Sequence, residues 1–257
     1  MIIQFVGCGN MGKLLLQSLL DNGISPKFIY VQVQSQQSQE FIYKQYGVNI
    51  GKSNDADILI LAIKPQQLDQ VDLTGYKQNL FVLSILAGVN TTKIRSFINT
   101  KNIMRVMPNV SLKVRNGTSG YYYEGDKKDY RFVLLMNIFT SLGVCIEIIQ
   151  EKMIDAVTAI SGSGPAYFYY LVELLTKSAQ ELGFDLPTAT SLATNTFLGA
   201  ALLMEQTDLS PIQLRSMITS KGGTTQAAIE SFEKRGFDKI FNQGVLAAYN
   251  RAQELNN

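Results

Sequence analysis

The 257-residue chain has no histidine and no tryptophan, only two cysteines, and a formal net charge of +2. Without histidine there is no Ser-His-Asp triad, no imidazole acid or base, and no ordinary histidine-based metal site, so no metal is expected. Catalysis must rest on carboxylates, lysine, hydroxyls, or a cofactor that brings its own chemistry. Cys8 and Cys145 lie far apart in apolar segments, so a disulfide framework is not expected and a reducing cytoplasm is the expected compartment. The near-neutral charge gives no electrostatic case for nucleic acid or an anionic membrane surface. No apolar run approaches the roughly 20 residues of a membrane span. The first residues lack a basic stretch and reach glycine too early for a signal peptide.

What is present is 46% hydrophobic and 17% charged residues, enough for one large domain or two modest ones, each with a core. Residues 2–6 form a short apolar run suited to a buried parallel strand. It leads into Gly7-Cys8-Gly9-Asn10-Met11-Gly12, a full G-x-G-x-x-G, and then into apolar residues at helical spacing that stop at Asn22-Gly23. Strand, glycine turn and helix in that order predict a dinucleotide site. Gly7 permits the tight turn, Gly9 lets a pyrophosphate approach the backbone, and Gly12 lets the helix pack close to the strand. The next strand, 28–31, should end at a ribose-reading residue, which in NAD-specific sites is usually acidic. The segment Gln32-Val33-Gln34-Ser35-Gln36-Gln37-Ser38 holds no acid to repel an adenosine 2′-phosphate and no arginine to clamp one. This leans toward NADPH over NADH, with Gln34 and Ser35 as the expected contacts.

The alternation continues with strands expected at 47–50, 57–63, 80–85 and 102–107, then a helix at 127–142 and a strand at 144–148. In a doubly wound sheet, ligands lie beyond the carboxyl ends of the strands. That places Ala62-Ile63-Lys64-Pro65, Ala87-Gly88 and residues 107–110 toward a cofactor or its substrate. Pro65 is suited to start a helix, and Lys64 reads either as a phosphate or ribose contact or as an exposed loop lysine.

From residue 152 the pattern turns helical. Ser161-Gly162-Ser163-Gly164-Pro165-Ala166 reads as a break, with Pro165 suited to the first turn of a helix through Tyr167, Leu171, Leu174 and Leu175. Residues 189–205 carry Ala and Leu on more than one face, and 237–255 continue in kind. Helices apolar on several faces need several partners, which favours a shared dimer interface over packing against the sheet. The expected fold is an α/β Rossmann-type domain at 1–151, with a doubly wound and mostly parallel sheet. An all-α dimerisation domain at 152–257 follows.

Within the helical part, Ile218-Thr219-Ser220-Lys221-Gly222-Gly223-Thr224-Thr225-Gln226 opens directly into the helical run Ala227-Ala228-Ile229. Such a loop delivers unpaired N–H groups to a helix start, where a carboxylate binds through them and the positive end of the helix dipole. It also reads as an ordinary capped turn with Thr224 or Thr225 as N-cap.

Seven segments, in this order, resemble motifs of the pyrroline-5-carboxylate reductase family: Gly7 to Gly12, Ala62-Ile63-Lys64-Pro65, Leu86-Ala87-Gly88-Val89, Met107-Pro108-Asn109, Asp155-Ala156-Val157-Thr158, Ser161 to Ala166, and Ser220 to Thr225. The resemblance runs from end to end. It implies a helical domain that dimerises by interlocking, a homo-oligomer built from dimers, and hydride transfer from NADPH or NADH to the imine carbon of 1-pyrroline-5-carboxylate, giving L-proline. It also implies that backbone N–H groups of Gly223, Thr224 and Thr225 hold the substrate carboxylate, and that the Thr225 hydroxyl, as the catalytic group, hydrogen-bonds the imine nitrogen. Ser163 would line the substrate pocket and Asp208 would lie near the imine. Asn54 would contact the ribose side of the cofactor, and Lys64, Ala87 and Gly88 would continue that wall beside Cys8, Asn10, Met11, Ala62, Ile63 and Pro65. The chain departs from the family at Met217, where many relatives carry a polar residue, and at Lys221, where proline is frequent.

Two other readings are a β-hydroxyacid-dehydrogenase-like oxidoreductase and a non-catalytic NAD(P)-binding regulator. The former resemble one another in a catalytic lysine four residues after the last glycine of a glycine motif. Here that position is Phe168, and Lys177 is too far along. A regulator has no need of a substrate-carboxylate loop such as 222–225.

Overall fold

A computed structural model of the chain describes residues 1–255. Alternation along the central strands sets the layers. In β4 (Ile58–Leu61), Ile58 and Ile60 join a core cluster with Ile3, Phe5, Leu15, Leu16 and Leu19. Leu59 and Leu61 join a second cluster with Val6, Val82, Ile94 and Ile103. Successive side chains leave opposite faces of a strand, and both faces are covered, which is why the strand is apolar at every position.

The other strands are β1 (Ile3–Val6), β2 (Ile29–Gln32), β3 (Asn49–Ile50), β5 (Phe81–Ser84), β6 (Ile103–Pro108), β7 (Gly117–Tyr122) and β8 (Gly143–Glu147). The helices of this half are α1 (Asn10–Asp21), α2 (Gln36–Tyr46), α3 (Thr91–Phe97) and α4 (Tyr130–Ser141). The sheet runs β3-β2-β1-β4-β5-β6-β7-β8. Pairing is parallel except between β6 and β7. The order reverses between β1 and β4, the switch point at which doubly wound sheets open a ligand crevice.

The expected strands are present within a residue or two. β7 is an addition that the sequence did not announce. Its run Gly117-Thr118-Ser119-Gly120-Tyr121-Tyr122 lacks apolar alternation, and it is a strand because it pairs on both sides, antiparallel to β6 and parallel to β8. Asn109 pins the connection, its Oδ1 accepting from Ser111 N at 3.1 Å and from Thr118 N at 3.2 Å. Pro65 starts a 3-10 helix, Pro65–Gln70, rather than an α-helix.

Two polar clusters hold the sheet half together. Arg131 reaches Asp129 through Nη2 at 2.6 Å and donates through Nη1 to Asn79 O at 2.5 Å, with its guanidinium over the Phe81 ring. Arg105, buried in β6, pairs with Glu151 at 2.9 Å, and Glu151 also accepts from Thr91 N at the start of α3 at 2.6 Å.

The later helices are α5 (Ile154–Val157), α6 (Gly164–Glu181), α7 (Leu186–Glu205), α8 (Pro211–Met217), α9 (Thr224–Lys234) and α10 (Phe237–Glu254). The break read at 161–166 is an incomplete one. Thr158–Gly162 form a π-helical turn, and Ser163 keeps right-handed helical angles (φ −84, ψ −22).

The chain divides into two compact units, Met1–Ser163 with the stretch beginning at Ala248, and Gly164–Ala247. Residues 152–163 pack with the sheet. A Cβ on Gly120 of β7 would lie 2.8 Å from Val157, and one on Gly162 would lie 2.9 Å from Met107. In the second unit, Phe168 of α6 meets Phe197 of α7 at 5.4 Å, and Tyr167 of α6 meets Phe241 of α10 at 6.0 Å. Only Ala189 and Ala193 are buried apolar side chains among the described residues of that unit, while Leu175, Leu198, Leu203 and Ile240 remain exposed. An apolar groove of 410 Å³ lies between α6 and the first half of α10. No helix among the described residues is long and apolar enough to cross a membrane.

Candidate functional site

The first part of the site is the glycine turn between β1 and α1. Gly7 has φ +80, and a Cβ there would lie 2.5 Å from Ile63 Cγ2 and 2.7 Å from Ala62 O. Only glycine fits that conformation in that space. Gly9 is the N-cap of α1 with no side-chain cap, and nothing lies within 4 Å of where its Cβ would be. Gly12 brings α1 to β4, with 3.2 Å between its notional Cβ and Ala62 Cβ. The start of α1 is therefore bare backbone with no acidic residue in the first turn, an arrangement that suits an anion.

These glycines form one wall of a 740 Å³ cleft at the switch point. Of the expected cofactor residues, Gly7, Cys8, Gly9, Asn10, Met11, Gly12, Gln34, Ala62, Ile63 and Lys64 line it. Ser35, Asn54, Pro65, Ala87 and Gly88 lie outside that lining. Ser35 caps α2, accepting from Ser38 N at 3.2 Å. Asn54 sits against Gly75, its side chain 3.5 Å from a notional Cβ there. Gly88, at φ +70, is packed against the end of the chain, where a Cβ would lie 2.5 Å from Leu255 Cβ.

The lining also includes Gln32, Gln67, Val71, Asp72 and Ile85, which sequence reasoning did not select. Gln67 restrains Lys64, whose backbone N donates to Gln67 Oε1 at 3.2 Å. For Gln32 the signal is its place at the end of the second strand, the position that is usually acidic in NAD-specific sites. Burial pushes the Cys8 thiol up to about 11 against the opposing charge of Lys13, so Cys8 is an uncharged wall atom at neutral pH. A bare helix start and a glycine open to the cleft are features that a dinucleotide pyrophosphate requires, and the cleft, whose lining carries Lys64 and Asp72 beside its neutral residues, fits one.

A separate candidate region lies in the helical unit. Gly222 has φ +73. Gly223, rather than Thr224 or Thr225, is the N-cap of α9, again without a side-chain cap. A Cβ on Gly223 would lie 2.5 Å from Ser220 Oγ, so glycine is favoured at this position, and Thr224 and Thr225 fall in the first turn. Gly223 N donates to Ser220 O at 3.0 Å, and Gly222 N to Gln226 Oε1 at 2.6 Å. Gln226 in turn donates to Glu230 at 2.7 Å. The loop is therefore shaped from within by Ser220 and Gln226, leaving the Thr225 hydroxyl outside the capping scheme.

Asp208 is exposed in the turn before α8, whose N-cap is Ser210. Met217 is exposed at the end of α8. Ser163, half-buried in the first unit, closes the π turn, its N–H donating to Thr158 O at 2.8 Å. No cluster of metal-ligating side chains occurs among the described residues.

A pyrroline-5-carboxylate reductase from Pseudomonas aeruginosa is 32% identical over 262 residues, covering 98% of this chain and 96% of the relative. The chain belongs to the pyrroline-5-carboxylate reductase family. Residues 151–255 match the family described as pyrroline-5-carboxylate reductase dimerisation. Residues 2–88 match the family described as NADP oxidoreductase, coenzyme F420-dependent. Among solved structures, the pyrroline-5-carboxylate reductase of Coxiella burnetii is 33% identical with a TM-score of 0.86, covering 99% of this chain and 98% of that one. The pyrroline carboxylate reductase of Plasmodium falciparum, solved with NADP bound, is 28% identical with a TM-score of 0.84, covering 100% and 98%. For a reductase of this family the missing histidines cost nothing, since NAD(P)H carries the redox chemistry.

Proposed function

We propose that the chain reduces 1-pyrroline-5-carboxylate to L-proline with NAD(P)H, NADPH being the preferred form. The observation that carries this reading is the end-to-end likeness to pyrroline-5-carboxylate reductases together with the glycine-capped, side-chain-free start of α9. When bound, NAD(P)H supplies a hydride to the imine carbon. The chain's own residues do the rest. Gly7, Gly9 and Gly12 shape the turn that receives the pyrophosphate, and Lys64 and Gln34 flank it. Asn54, Ala87 and Gly88 belong to the same wall in this proposal, as do Ser35 and Pro65. The backbone N–H groups of Gly223, Thr224 and Thr225 take the substrate carboxylate, helped by the α9 dipole. The Thr225 hydroxyl holds the ring nitrogen. A protonated cyclic imine is already electrophilic, so orientation and one hydroxyl suffice where a strong acid would otherwise be needed. Ser163 and Asp208 complete the substrate surroundings.

The proposed working form is a homodimer joined through the helical domain at 152–257, from which any larger assembly is built. A unit whose buried apolar side chains are two alanines does not stabilise itself and calls for a second copy. The cytoplasm is the proposed compartment, in keeping with Cys8 and Cys145 both being free thiols.

The test is oxidation of NADPH and NADH, followed side by side, with and without pyrroline-5-carboxylate. Substrate-dependent oxidation is expected. Folded, dimeric protein that turns over neither cofactor would exclude the reading.

A further inference from the structure

Two glutamines on neighbouring strands meet different fates. Gln4 in β1 is fully buried and uses both ends of its amide inside the protein. Its Nε2 donates to Phe5 O at 2.8 Å and to Gly51 O at 3.2 Å, and its Oε1 accepts from Ser53 N at 2.7 Å. That is the pattern of a structural glutamine, since buried polar groups are normally paired. Gln32 is the last residue of β2, in register with Val6, the last residue of β1. Its backbone carbonyl accepts from Gly7 N at 2.9 Å, which fixes Gln32 beside the first glycine of the cofactor turn. Gln32 is one of the residues lining the cleft, and its Oε1 is shut off from water without a hydrogen-bond partner. A buried acceptor left unpaired is destabilising, because it has given up its water without gaining a partner. The terminal torsion of a glutamine is broad and soft, so the amide turns toward a donor that enters the cleft at little cost.

We infer that Gln32 is the ribose-reading residue of this chain. It meets the adenosine ribose with a neutral amide at the strand end where NAD-specific folds place a carboxylate. The inference rests on the proposed use of NAD(P)H and names the residue that sets cofactor choice. The Oε1 accepts from a ribose 2′-hydroxyl, as in NAD(H). The amide NH₂ of the same side chain donates to a 2′-phosphate oxygen, as in NADP(H). A carboxylate does the first and repels the second. Gln32 therefore keeps both cofactors admissible; Gln34 carries the same amide but is exposed, and Ser35 is engaged in capping α2, whereas the Gln32 Oε1 is buried and unpaired.

The test is equilibrium binding of NAD⁺ and NADP⁺ by calorimetry to the full chain and to Gln32→Glu and Gln32→Leu, with no substrate and no turnover. Gln32→Glu, nearly isosteric, is expected to shift the Kd ratio toward NAD⁺ by about tenfold or more through like-charge repulsion. Gln32→Leu is expected to weaken NAD⁺ by about fivefold through the lost hydrogen bond. If Gln32→Glu leaves the ratio of the two constants unchanged, the inference is overturned, whatever becomes of the leucine variant. If folded wild-type protein binds neither cofactor, the NAD(P)H reading itself falls, and this inference falls with it.

Discussion

The chain begins two helices in the same way and surrounds them differently. Before α1, Gly7 takes φ +80 and Gly9 caps; before α9, Gly222 takes φ +73 and Gly223 caps. Neither cap uses a side chain, and neither first turn carries an acid. The first turn is wedged between strands, with Ile63 and Ala62 filling the space a Cβ on Gly7 would need. The second is open around Gly222, where nothing lies within 4 Å, and is shaped by its own Ser220 and Gln226. One glycine-capped helix start is imposed by the sheet, the other by a loop that leaves its threonines free. A packed wall suits the constant part of a reaction, a cofactor pyrophosphate. A loop with free hydroxyls suits the part that must discriminate a substrate.

The largest expected effect sets the two glycines against each other. Gly7→Ala combines left-handed strain with a clash against packed atoms and should cost about 2–5 kcal/mol, with loss of cofactor binding. Gly222→Ala has the strain alone and should cost about 1–2 kcal/mol. Thermal melts of both variants in one buffer measure this, and equal losses would erase the distinction between wedged and open turns.

Thr225→Ala comes next. Removal of one transition-state hydrogen bond should lower turnover by roughly 10²-fold. Because Gly223 is the cap, folding stability should stay within about 0.5 kcal/mol of wild type. A melting loss with turnover intact would return Thr225 to a structural role.

The smallest effect concerns pH. The Asp129 carboxyl is held below the ordinary carboxylate range, chiefly by its hydrogen bond from Arg131 and against the opposing effect of burial. Its contribution is therefore full above the unfolded value of about 3.9 and lost as pH falls through the lower folded value. The helical unit's ion pair Arg215–Glu233 is exposed at 4.0 Å and should add little. Hydrogen exchange between neutral pH and pH 3 should show α4 and β5 losing protection through this link, and Asp129→Asn should flatten that dependence. An unchanged profile in the variant would assign the acid sensitivity elsewhere.

Much of this was legible in residue order. Ile2 to Gly12 announced strand, turn and helix because a run buried on both faces must be apolar throughout and a tight turn beside a strand must be glycine. The loop at 218–229 announced a helix start, but the identity of its cap was not legible. Thr224, Thr225 and glycine are about equal as capping residues by local preference, so nothing local chooses among them, and only the folded backbone puts the cap at Gly223. β7 was illegible for a related reason, since its Gly, Ser and Thr residues become a strand through pairing with β6 and β8. Gln32 stood in plain view at the end of the second strand, yet nothing local separates it from Gln4.

Composition and order by themselves determined that this protein works without histidine, borrows its chemistry from a dinucleotide, and carries helices too apolar to stand alone. These follow from residue type and spacing, which no packing can alter. The tertiary structure decided which glutamine is satisfied and which is left unpaired beside a cleft, which glycine caps α9, and which hydroxyl is thereby freed. Those outcomes depend on hydrogen bonds and contacts between residues distant in the chain, or on crowding at a single turn, and such terms exist only once the backbone is in place.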